Sequence, residues 1–195
     1  MIRLLIGLLL LFSTNASALS PAILGGVSGG VSGGGSACTV KESMETTDTY
    51  IAIFGTAAKT YGATVWTTGG AGYDLCRIDV NFTKFGSPTG NINAYVYGNT
   101  GTEPDEGNII ATSTTTLSMG SMTNGWQQFD FNDTALSAAT NYWIVLKTDT
   151  VGDGSNYIRW LADSTSTPGE VDHSEDGATW TWWASYDATH KVYGR

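Results

Sequence analysis

Charge is scarce in this sequence, and positive charge scarcer still. Only 14% of the 195 residues are charged, with 18 acidic against 9 basic, for a formal net charge of −9. An acidic surface of that kind repels phosphate backbones, which argues against a nucleic-acid partner. Histidine appears twice, at His173 and His190, and no His-Glu-x-x-His or glycine-rich phosphate loop is present. Facing carboxylates are what a glycosidase needs. Glu103, Asp105, Glu106, Glu170 and Glu175 all stand in turn-like surroundings, where acidic side chains are usually solvated. The composition therefore points away from an enzyme.

Long apolar runs are lacking too, apart from one at the start. Arg3 precedes an apolar stretch from Leu4 to Phe12, followed by Ala16-Ser17-Ala18. That is the pattern of a secretory signal over 1–18, too short to span a bilayer and cut after Ala18. No lipoprotein-type cysteine follows it. Loss of Arg3 takes the charge from −9 to −10, and no membrane span is expected in the mature chain. Residues 19–37 repeat Gly-Gly-Val-Ser; such a segment cannot bury enough apolar surface to offset its chain entropy, so a flexible linker is expected. Residues 38–195 suffice for one domain with a sizeable core.

Cysteine occurs only at Cys38 and Cys76. In an exported chain an even count favours one disulfide, here pinning the start of the domain to a strand in its first third. Two free thiols or a metal pair are the weaker alternatives, since neither cysteine has a second ligand close in sequence.

What is abundant is alternation. Arg77–Phe82 places Ile78, Val80 and Phe82 on one face; Asn91–Tyr97 places Ile92, Ala94 and Val96 inward and Tyr95 and Tyr97 outward. Trp126–Phe131, Asn156–Leu161 and Lys191–Tyr193 read as further strands. Tyr142–Lys147, "YWIVLK", is apolar on both faces, as a strand covered on both sides would be. No segment has a convincing helical stripe. The expected class is all-β: an antiparallel β-sandwich of jelly-roll type behind a flexible N-terminal segment.

In order, "KFGSPTGNINAYVYG", "GNIIATSTT", "GWQQFDFND", "ALSAATNYWIVLKTD", "SNYIRW", "SEDGATW" and "KVYG" resemble a family of secreted and phage-associated choice-of-anchor-type β-sandwich domains, themselves similar in shape to carbohydrate-binding modules. The resemblance covers roughly Tyr50 to Gly194. It implies a non-catalytic extracellular, cell-surface or virion domain, and it brings no binding residues with it.

The stretch "HSEDGATWTWW", residues 173–183, holds three of the seven tryptophans. It is close to the Asp-box of sialidases, but Asp176 is followed directly by Gly177. There is no repeat of the motif, and the four scattered arginines form no carboxylate-binding cluster. Asp-Gly between β-forming runs signals a hairpin, here joining Glu170–Ser174 to Thr179–Trp183, with Ser174 and Asp176 accepting turn amides. Trp180 and Trp182 then share one face and Trp183 takes the other. One reading is a stapled hairpin. The other is a sugar-stacking platform of Trp180, Trp182 or Trp183, with Tyr95, Tyr97 and Trp160 as further candidates, and Asp172, Glu175 and Asp187 accepting hydrogen bonds from sugar hydroxyls.

No cofactor is required. Calcium is the one candidate, because Asp149, Asp153 and Asn156 gather oxygen ligands in "TDTVGDGSN", although a plain hairpin loop has the same composition. The functional expectation is an extracellular binding or adhesion module for a glycan or cell-surface polysaccharide. The alternative is a structural subunit of a virion appendage or surface fibre, acting through self-assembly or contacts with virion proteins.

Overall fold

The computed structural model describes residues 36–52, 59–165 and 170–195. The expected signal, and all of the linker but its last two residues, lie outside them. Thirteen strands follow in order: β1 (Thr39–Met44), β2 (Thr49–Ala52), β3 (Tyr61–Thr67), β4 (Tyr73–Phe85), β5 (Asn91–Asn99), β6 (Pro104–Ser118), β7 (Gly125–Leu136), β8 (Asn141–Thr148), β9 (Tyr157–Asp163), β10 (Glu170–Ser174), β11 (Trp180–Ala184), β12 (Asp187–Ala188) and β13 (His190–Gly194). No helix occurs among the described residues.

Every pairing is antiparallel, and hydrogen bonding runs in the order β1-β13-β4-β7-β6-β5-β8-β3-β10-β11. The last stretch of β4, Phe82–Phe85, pairs with β9, which carries β2 and β12. The sheet curls on itself as a half-barrel. Its two walls meet at β6 and β7 through one bridge, Ser113 to Phe131. A jelly roll is a narrower statement than this strand order makes.

Period-two alternation builds the core as the sequence implies. Ile78, Val80 and Phe82 on β4, Ile92, Ala94 and Val96 on β5, and Phe129 and Phe131 on β7 are all buried in one cluster. Burying each large side chain contributes about 1.5–3 kcal/mol. The doubly apolar β8 has a specific cause. Tyr142, Ile144 and Leu146 face the main core, while Trp143 and Val145 join Tyr61, Ala63, Tyr97 and Trp180 in a second cluster on the opposite face.

Cys38 is bonded to Cys76, with 6.2 Å between their Cα atoms. Cys76 sits where the pairing of β4 with β7 slips between Leu75 and Arg77. The bond therefore ties the chain entering β1 to β4 across the end of β13, which separates these strands in the sheet.

Candidate functional site

The Trp-rich hairpin forms, with a five-residue loop rather than a tight Asp-Gly turn: Ser174 stands opposite Trp180, and residues 175–179 connect them. Asp176 explains the longer loop. Its Oδ1 accepts the amides of Thr179 (2.8 Å) and Ala178 (2.9 Å) and the Ser174 hydroxyl (3.0 Å). The Ser174 Oγ in turn accepts the Gly177 amide at 2.8 Å. These amides, Thr179's first, hold the Asp176 carboxyl below the usual carboxylate range. Gly177 has φ 83°, a left-handed conformation that glycine adopts without strain.

β10 pairs with β3 on its inner side, and β11 ends the strand order. Trp180 and Trp182 share a face, as alternation requires, yet their surroundings differ. Trp180 is 9% exposed and meets Tyr61 edge-on, with ring centroids 6.1 Å apart. Trp182 is 53% exposed. Trp183, on the other face, lies 4.9 Å from the His173 ring and is half-buried against the main core.

A groove of about 590 Å³ runs between β2 and β11, lined by Thr49, Tyr50, Trp182, Trp183 and Tyr186. Because β11 is the last strand, side chains from both of its faces reach around the edge into the same space. Ser185, with φ 71°, turns the chain sharply after β11, and Tyr186 returns to within 6.1 Å of Trp183. Tyr50 presents its ring from β2 and is 44% exposed.

The other candidates separate. Trp160 is not a platform residue: it is 0% exposed, shares the inward face of β9 with Ile158 and Ala162, and donates Nε1–H to the Thr189 carbonyl at 2.7 Å. Tyr95 and Tyr97 do point away from the main core, but into the second cluster. Tyr97 is 5% exposed, and burial pushes its hydroxyl up to about 12. Tyr95 is half-buried with its ring edge-on to Tyr97. Asp172 faces the same side as Trp182 but is 0% exposed opposite Ala63, so it cannot offer oxygens to a ligand.

Glu175 is exposed, in a separate hollow of about 210 Å³ that it shares with His173, Ser174, Asp176, Thr179 and Thr181. There burial, then the charge of Lys59, pushes the His173 imidazole down to about 4, so it is neutral at physiological pH. Asp187 is half-buried on β12, directly opposite Asp163. The structure thus brings Trp182 and Trp183 together with Tyr50 and Tyr186. Sequence reasoning missed the last two, because Tyr50 lies about 130 residues from the hairpin and only the β2–β9 pairing delivers it.

The calcium candidates are committed to loop bonds. Asp149 accepts the backbone and side-chain amides of Asn91 at 2.7 and 2.8 Å. Asp153 accepts the amides of Ser155 and Asn156, and the Asn156 Oδ1 accepts the Ser87 amide. Among the described residues no three His, Cys, Asp or Glu side chains gather as a metal site. Comparison with protein-family models and with curated proteins found no match to this chain.

Proposed function

We propose that this protein is a non-catalytic extracellular binding module that holds carbohydrate in the groove between β2 and β11. The supporting observation is Trp182, a large indole left 53% exposed beside three further aromatic rings in one open groove. Sugar rings offer flat C–H faces, and an indole fixed on a strand gives them an apolar plane with little side-chain entropy left to lose. The Cys38–Cys76 bond is compatible with an oxidising, extracellular setting. The mature chain passed over immobilised polysaccharides and a glycan array tests the proposal. Retention should vanish in Trp182→Ala while the thermal melt hardly moves. Equal retention by that variant, or none by the parent, would overturn it.

A second reading, a structural subunit of a virion appendage or surface fibre, has one observation in its favour. β11, "WTWWA", is an edge strand with no charge and a regular register. At the other end, β1 is irregular between Val40 and Glu42, carries Lys41 and Glu42 within it and is followed by Glu45, the features that discourage edge pairing. Size-exclusion chromatography and negative-stain microscopy separate the two: ordered oligomers or filaments support the subunit, a monomer retained on glycan the module.

A further inference from the structure

Two cations outside the groove's lining lie against two of its rings, and the rest of the chain makes that unusual. Of the basic residues described, Arg77, Lys191 and Arg195 are ion-paired, with Asp79, Glu45 and Asp133. Lys59 and Arg159 have no carboxylate partner among the described residues. They rest on aromatic rings instead. Lys59 Nζ lies 5.1 Å from the centroid of Trp183, and Arg159 Cζ lies 3.6 Å from that of Tyr50. Trp183 and Tyr50 are two of the groove's rings. Lys147 makes a comparable contact with Tyr61, which is not among the groove residues.

A ring holds a cation in place without neutralising it, so the charge stays available to whatever enters. Arg159 is the more firmly set. Phe85 and Tyr157 also lie under its guanidinium at 4.4 and 5.2 Å, and Nη2 donates to the Tyr157 hydroxyl at 3.0 Å. Its buried Nε–H has no acceptor among the described residues. Two carboxylates on the neighbouring strands and turns are engaged elsewhere. Asp48 accepts the Ser164 amide and hydroxyl, both at 2.7 Å, and Asp163 accepts those of Thr165 at 2.8 and 2.7 Å. The same positive potential contributes to keeping His173 neutral.

We propose that the groove selects glycans bearing carboxylated sugars of the uronic-acid class, with the rings of Trp182, Trp183 and Tyr50 against sugar faces and Lys59 and Arg159 meeting the carboxylate. This rests on the groove being the carbohydrate site. The ligand's charge is sparse, because a chain of net charge −9 repels a densely charged polyanion before two cations can act.

The test compares glucuronoxylan oligosaccharides with the same oligosaccharides after chemical reduction of their carboxyl groups, by calorimetry on the mature chain. The reduced form should bind about tenfold more weakly, the loss expected for one charge-assisted contact. Lys59→Gln should erase that preference and Lys59→Arg restore it. Equal affinity for both forms, with both lost in Trp182→Ala, overturns the acidic selectivity and leaves the groove as the sugar site. Binding of neither form, or undiminished binding by Trp182→Ala, overturns both.

Discussion

Trp180 meets Tyr61 edge to face, with 6.1 Å between ring centroids and 76° between ring planes, and this contact decides which tryptophan of the hairpin is structural. Two residues on, Trp182 points the same way but lies clear of that cluster. Trp180→Ala should therefore cost about 3–5 kcal/mol, as large-to-small changes in a packed site do. Trp182→Ala should cost little and abolish glycan retention instead. Denaturant melts beside retention assays read both. Alternation puts Trp180 and Trp182 on one face, but their surroundings divide the pair.

Gly177 sits beneath the same cluster. A β-carbon there would come within 2.5 Å of Glu106 Oε1 and 2.7 Å of Tyr61 Cζ, at a φ of 83° that side chains avoid. Gly177→Ala combines left-handed strain with the displacement of an aromatic ring, and should destabilise by about 1–3 kcal/mol in urea titration. Asn at this position should be tolerated better in its backbone but not in its contact with Tyr61.

The strands that could be read in advance were those whose alternation is unbroken. Ile78, Val80 and Phe82 declare an inward face because nothing slips between them. β6 does not: its partners on β5 shift three times between Asn93 and Gly98, and its Thr-rich sequence carries no clean apolar face. Tyr97 was legible in direction but not in burial. Period two says which way a side chain points, while the cluster of Tyr61, Trp143 and Trp180 that covers it comes from strands 36 or more positions away in the chain. The groove was half legible for the same reason. "TWTWW" announced its tryptophans, but Tyr50 and the cations Lys59 and Arg159 reach them only through tertiary pairing.

The disulfide closes a loop spanning a sequence separation of 38. In the chain-entropy picture a loop of that size stabilises by about 3–4 kcal/mol. Alkylation of the unreduced chain should add no mass. The double variant Cys38→Ser, Cys76→Ser should unfold at correspondingly lower urea, with β1 the first strand to lose amide protection, since the bond anchors its entry.

Acid should weaken the fold in a defined window, through a histidine remote from the groove. His190 is 5% exposed on β13, with Nδ1 2.8 Å from the Ala188 carbonyl. Burial pushes its imidazole down from 6.5 to about 4. In the unfolded chain the ring takes up a proton below about 6.5; in the folded chain it resists until about 4. Between those values the unfolded state binds more protons, so stability falls as pH falls, and the contribution is complete only above the unfolded value. Over the whole window the loss amounts to about 3 kcal/mol, at 1.36 kcal/mol for each pKa unit. His173 titrates over the same range and adds to the slope. The carboxyls of Asp176, Asp149 and Asp153 are held low by loop amides, so their contribution is present above 3.8 and lost below it. A urea midpoint followed from pH 7 to pH 3 should decline first between 6.5 and 4 and again below. His190→Gln, whatever it costs at pH 7, should make the first decline shallower, leaving the part His173 supplies, and leave the second; an unchanged first decline would place the acid sensitivity elsewhere.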